Sequence, residues 1–186
     1  GFRFISWETA SPEFMALAFR VLARNGIRRF CLADPMNDAD SNVACARMVR
    51  QGGGEYVIAA LVYTLSPIHD DAHYVARART LASCPDIDAV YIKDPGGLLT
   101  PARARTLVPA VRAAVHPKPL ELHSHCTIGL AELAYMDAAD YGVSALQCAS
   151  GAAADGQSNP HALRVFRNLR ELGHTVQVDE DALIEI

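Results

Sequence analysis

The 186 residues carry 17 Lys and Arg against 21 Asp and Glu, a formal charge of −4, and 51% of them are apolar. That is ample for one buried core, and it gives no clustered basic face for nucleic acid. No apolar stretch is long enough to span a bilayer, no signal peptide precedes the first strand, and the odd, irregularly spaced cysteines (Cys31, Cys45, Cys84, Cys126, Cys148) lack a CxxC pair, the usage expected of a reducing, cytoplasmic compartment.

Strand and helix signals then alternate along the chain. Phe2 to Ser6 reads as a strand. Ser11-Pro12 is an N-cap followed by proline at the first helical position, and that helix runs to about Asn25, where Gly26 ends it. Arg28 to Ala33 is a strand, and a helix from about Ser41 to Gln51 stops in three glycines. Tyr56 to Tyr63 is a continuous apolar strand of the kind buried on both faces. A helix from about Asp70 to Ala82 precedes the strand Ala89 to Ile92, and Thr100-Pro101 caps a helix to about Val115. Arg103, Arg105 and Arg112 on that helix read as a solvated face. The strand Leu120 to His123, a helix from about Ala131 to Tyr141, the strand Ala145 to Cys148 and a helix from about Pro160 to Leu172 complete the pattern. Asp179 to Ile186 reads as the start of another helix.

Six βα units predict a parallel sheet with crossover helices. A doubly wound dinucleotide binder should show GxGxxG after its first strand, and none is present. Instead polar residues recur at strand ends: Asp34, Thr64, Lys93, His123, His125 and Gln147. A (β/α)8 barrel builds its active site there, at the C-terminal ends of its strands. Eight strands close a barrel, so the expected fold is a partial barrel, one domain over residues 1–186, cut from a longer protein at both ends. A self-sufficient open six-stranded domain is the alternative. An arc of six strands should leave its concave face partly open.

His123-Ser-His125 closes the run Lys118-Pro-Leu-Glu-Leu122. Two residues is the strand period, so both imidazoles leave one face, roughly 7 Å apart at the backbone. That is close enough to grip one ion, and imidazole suits Zn, Mn, Fe or Co. Two polar residues at a strand end is the plain alternative. Lys93 occupies a similar point one unit earlier; its plain alternative is a salt bridge to a neighbouring Asp. Cys126 should point away from both histidines. His69 and His73, beside Asp70 and Asp71, read as a solvated helix end, Met36-Asn37-Asp38 as a loop, Gly96-Gly97 as a turn, and Tyr135 and Met136 as core.

Tyr91-Ile-Lys-Asp-Pro-Gly-Gly-Leu-Leu-Thr-Pro101 resembles the lysine-bearing strand of the carboxyltransferase domain of pyruvate carboxylase and the oxaloacetate decarboxylase α subunit. His123-Ser-His-Cys-Thr-Ile-Gly129 is similar to that family's HxH strand. Asp34-Pro-Met-Asn-Asp38, Tyr63-Thr-Leu-Ser-Pro-Ile-His69 and Gly156-Gln-Ser-Asn-Pro160 match in the same order. The resemblance implies that the six strands are strands three to eight of the barrel. It implies His123 and His125 as metal ligands and Lys93, carboxylated on its amine, as the third. The family's aspartate ligand and its substrate-binding arginine belong to sequence before Gly1. The family's proton-shuttling threonine aligns with Gln157, whose amide has no hydroxyl to relay a proton. Ser6-Trp7 replaces the family's Gly-Tyr.

Lys93 and Gln157 are therefore the candidate catalytic residues, and Lys93, His123 and His125 the candidate metal ligands. The implied cofactors are a divalent ion (Zn, Mn or Co) and biotin on a separate carrier protein. The implied substrate is a 2-oxo acid, pyruvate or oxaloacetate, with no nucleic acid or membrane partner and a homo-oligomeric whole protein. A metal-dependent aldolase or lyase of the hydroxymethylglutaryl-CoA lyase superfamily is the second enzyme reading. A catalytically silent metal-binding homologue is the third.

Overall fold

The computed structural model describes residues 1–3 and 7–185. Five strands form one sheet: β1 (Arg29–Leu32), β2 (Tyr56–Val62), β3 (Ala89–Asp94), β4 (Leu120–Ser124) and β5 (Ala145–Leu146). All four pairings are parallel and the strands neighbour in chain order. Six larger helices alternate with them: α1 (Pro12–Arg24), α2 (Ala39–Gly52), α3 (Asp71–Ser83), α4 (Pro101–Val115), α5 (Ala131–Asp140) and α6 (Ala162–Glu171). A short α7 (Glu180–Ile184) ends the described chain. Five of the six expected strands are present, the last only two residues long. The expected strand Phe2 to Ser6 lies partly outside the described residues. Among the described residues, no helix is long and apolar enough to cross a membrane.

The helix starts follow from capping chemistry. Ser11, Asp38, Asp70 and Thr100 each turn a side-chain oxygen to a free N–H of the first turn, and Pro12 and Pro101 sit where no N–H is needed.

The alternation of the strands sorts their side chains. Val57, Ala59, Leu61, Val90, Ile92, Leu120 and Leu122 join Phe19, Val49, Tyr74, Leu107, Tyr135 and Val165 of the helices in one core. The intervening residues Ile58, Ala60, Ala89 and Tyr91 form a separate cluster on the other face. All the larger helices therefore cover one face, as a barrel arc requires. The other face curls. Arg29 on β1 reaches Glu121 on β4 with Nη2 to Oε1 at 3.0 Å, although three strand spacings, about 14 Å in a flat sheet, separate their strands. That curvature corrects one expectation: Ile58, Ala60, Ala89 and Tyr91 are at most 3% exposed. The centre of the concave face is closed by its own side chains, and only flanking residues such as Cys31 and Ala145 stay exposed.

Candidate active site

β3 ends in Lys93-Asp94, and the two side chains part. Lys93 takes the concave face and stays half-buried; Asp94 turns to the helix side and is fully buried. There Asp94 accepts from Leu98 N at 2.9 Å, Leu99 N at 2.8 Å and Ser124 Oγ at 2.7 Å. It shapes the β3–α4 loop and binds that loop to β4, so it does not serve as the ion-pair partner of Lys93. Gly97 completes this loop with φ +66°, so close to β4 that a Cβ there would sit 2.4 Å from the His125 carbonyl oxygen. The expected turn is thus also a close backbone approach.

On β4, Glu121 and His123 share the concave face while Ser124 faces the helices, and His125, just past the strand's end, turns its ring to His123. Lys93 and His123 are register partners on adjacent strands. The Nε2 atoms of His123 and His125 lie 3.0 Å apart. Two nitrogens each about 2.1 Å from one ion, at right angles about it, lie about 3.0 Å apart, so the spacing suits two ligands of a common ion. Burial holds the His123 pKa below its ordinary value, only partly opposed by Gln147, which favours the neutral ring a metal needs. Neutral imidazoles fit Zn, Mn or Co; the Lys93 amine would join them only once deprotonated or carboxylated. Among the described residues, no group of three or more His, Cys, Asp or Glu is placed to hold an ion. The structure sets Lys93 beside His123 on adjacent strands and His123 against His125.

Two residues outside the candidate set complete the site. Gln147, just past β5, places Oε1 3.0 Å from His123 Nδ1 and donates from Nε2 to Glu121 Oε2 at 3.0 Å. Glu121 had a readable signal: it lies two residues before His123 and so shares its face. Tyr135 does more than fill the core. Its hydroxyl accepts from Ser124 N at 2.9 Å and donates to Gln147 O at 2.7 Å, joining the ends of β4 and β5.

Gln157 is exposed on the loop after a short 3-10 turn (Gly151–Ala153). That loop is fastened over the end of β4: Cys126 N donates to Ser158 O at 2.8 Å and Asn159 Nδ2 to Ser124 O at 3.0 Å. Arg164 grips Asp155 of the same loop and Glu132 of α5, and holds the Asp155 carboxyl below its usual range. Cys126 points to Asp155, 3.8 Å away, and burial pushes its thiol up, so it is neither a ligand nor a ready nucleophile. His69 and His73 pack together with ring centroids 4.5 Å apart, His69 bonded to Ser66 and His73 capped by Asp70, away from the HxH pair in the chain's order of strands.

No family model matches the chain. A pyruvate carboxylase subunit of Methanocaldococcus jannaschii is 33% identical over 176 residues, covering 94% of this chain and 30% of that protein. The methylmalonyl-CoA carboxyltransferase 5S subunit of Propionibacterium freudenreichii is 30% identical over 88% of the chain and 32% of its own length. The chain spans about a third of the length of these two relatives. In fold, it superimposes along its whole length on 32% of the carboxyl transferase domain of Rhizobium etli pyruvate carboxylase crystallised with pyruvate and biocytin, at a TM-score of 0.89 and 24% identity. With its barrel-type sheet and the Lys93 and HxH strands side by side, the chain belongs to the carboxyltransferase-domain family of pyruvate carboxylase.

Proposed function

We propose that the chain forms the metal-holding wall of a site that moves a carboxyl group to or from a 2-oxo acid, pyruvate or oxaloacetate, in concert with a biotinylated carrier protein. The observation that carries this reading is the pair of Nε2 atoms 3.0 Å apart beside Lys93 at the C-terminal end of the sheet. His123, His125 and Lys93 would hold the ion, with Lys93 as a carbamate. When bound, a divalent ion supplies Lewis acidity to the ketone oxygen of the substrate. The chain's own groups set the surroundings. Burial keeps His123 neutral and available as a donor. Tyr91, whose ring edge approaches the His123 ring at 6.4 Å between centroids, keeps its phenol protonated because burial drives its pKa far upward.

Gln157 favours a second reading at the same site, decarboxylation without transfer to biotin. A carboxamide can orient a substrate but cannot relay a proton at neutral pH. Three measurements on the gene product containing these residues decide between the readings. Oxaloacetate decarboxylation should be lost on chelation and restored by Zn, Mn or Co. Lys93→Arg should lose metal and activity together, since guanidinium stays protonated and cannot add CO₂; retention of both would refute the carbamate role. Gln157→Thr should raise biotin-dependent transfer relative to decarboxylation by about a hundredfold or more, the lower end of the range for a placed proton shuttle. An unchanged ratio would detach position 157 from the chemistry, and metal-independent decarboxylation would overturn the site.

A further inference from the structure

A line of polar side chains runs along the concave face from one end of the sheet to the other. Arg29 on β1 donates to Glu121 Oε1 at 3.0 Å, and Gln147 Nε2 donates to Glu121 Oε2 at 3.0 Å. Gln147 Oε1 lies 3.0 Å from His123 Nδ1, and His123 Nε2 lies 3.0 Å from His125 Nε2. The donors and acceptors in this line admit one orientation of the carboxamide. Both oxygens of Glu121 act as acceptors, one for Arg29 and one for Gln147, so the amide NH2 must face Glu121. The amide oxygen then faces His123, and an oxygen can only accept. Nδ1 of His123 must therefore carry the proton, and its Nε2 lone pair points at His125.

We infer that Gln147 is a positioning residue: its carboxamide, fixed by Glu121 and Arg29, locks His123 as the Nδ1–H tautomer with Nε2 free for the ion. The place of the ion rests on the function proposed above; the tautomer lock does not. A metal-bound histidine usually gives its second N–H to a carboxylate, a backbone carbonyl or water. Here a side-chain amide takes that role and adds no charge of its own. The anion stands one residue further back, at Glu121, where Arg29 neutralises it. The two histidines then differ in readiness. In the metal-free protein His125 Nε2 must donate to the His123 lone pair across the 3.0 Å gap. His123 can ligate without moving a proton, whereas His125 must first transfer its proton to Nδ1.

Long-range proton–nitrogen correlation spectra of the chelator-treated, histidine-labelled protein read the tautomers directly. His123 should show a protonated Nδ1 and an unprotonated Nε2, and His125 the reverse. Adding Zn²⁺ should switch His125 to the Nδ1–H form and leave His123 unchanged. Gln147→Leu should release His123 to a mixture of tautomers and weaken Zn²⁺ or Co²⁺ binding about 10–100-fold, the usual cost of losing such a partner. The double variant Glu121→Gln, Gln147→Glu exchanges the two partners, conserves net charge and keeps an acceptor on His123. It should restore both the tautomer and the affinity. An Nε2–H His123 in the unaltered protein overturns the inference, and that measurement stands if the Leu variant does not fold. A fixed His123 tautomer with no Zn²⁺ or Co²⁺ binding refutes the proposed metal site alone. Metal binding that ignores Gln147→Leu refutes the positioning role alone.

Discussion

Replacing Asp94 by Ala should cost this chain about 2–6 kcal/mol, although the residue touches neither histidine side chain. Its carboxylate, fully buried, is the acceptor for three donors: the amides of Leu98 and Leu99 and the hydroxyl of Ser124. Alanine leaves the two amides without a partner, at about 1–3 kcal/mol for each, while the Ser124 hydroxyl keeps only a long contact to the His125 carbonyl at 3.5 Å. The sum is a large share of the 5–15 kcal/mol that ordinarily holds a domain together. Asn at the same place keeps one oxygen and turns an NH2 towards a donor, so its cost should be roughly half. The strand ends should also loosen, because His125 N donates to the Asp94 carbonyl at 3.0 Å across the same joint. Urea unfolding measures the stability, and amide exchange at Leu98, Leu99 and His125 reports the local opening. A loss below about 1 kcal/mol for the Ala variant, with those amides still protected, would refute the reasoning. It would mean that water replaces the carboxylate without strain.

Gly97→Ala should be destabilising by more than about 2 kcal/mol, since it adds a left-handed φ penalty to a Cβ 2.4 Å from the His125 oxygen; a near-neutral urea midpoint would refute the close approach. Arg29→Met should cost about 1–3 kcal/mol, because Glu121 is 5% exposed and loses its cation while Arg29 itself is 59% exposed and gives up little; unchanged stability would show that the bridge contributes nothing. Stability should fall as pH drops below about 6.5. His123 and His73 have folded-state pKa values depressed chiefly by burial, so below the unfolded value of about 6.5 the unfolded chain binds more protons, and stability is lost progressively towards the lower folded values. A His123→Gln variant should flatten that slope, and an equal slope in the variant would point to other groups.

The parts of this site that could be read from the sequence are those governed by local periodicity. His123 and His125 meet because they are two apart at a strand's end, and Lys93 stands beside His123 because consecutive βα units pair in order. Helix starts at Ser11-Pro12 and Thr100-Pro101 were legible because capping uses residues within one turn. Curvature is a property of the whole sheet, and whatever depends on it escaped. Nothing in the residues around Arg29 says that its guanidinium meets a carboxylate 92 positions later. The same curl buries Tyr91 and Ile58, which a flatter arc would have left open. The role of Tyr135 was hidden for another reason: its ring belongs in the core by any hydropathy argument, and only the position of its hydroxyl, between Ser124 and Gln147, gives it a second task.

Two layers of control meet at β4, one on each face, and they act on different properties of the histidines. On the helix side Asp94, Tyr135 and Asn159 bind backbone atoms at 2.7 to 3.0 Å, the Ser124 hydroxyl ties β4 to the Asp94 carboxylate, and together they fix where the strand end lies. On the concave side Gln147, Glu121 and Arg29 bind side-chain atoms and fix which nitrogen of His123 carries a proton. A substitution in the first layer should lower stability and metal affinity together, because the imidazoles move with the backbone. One at Gln147 in the second should lower affinity with little change in stability, because Gln147 is only half-buried and the strand keeps its partners. The alternation of a β-strand is what allows this separation: successive residues answer to different surroundings, so backbone placement and ring protonation can be set independently within His123-Ser124-His125.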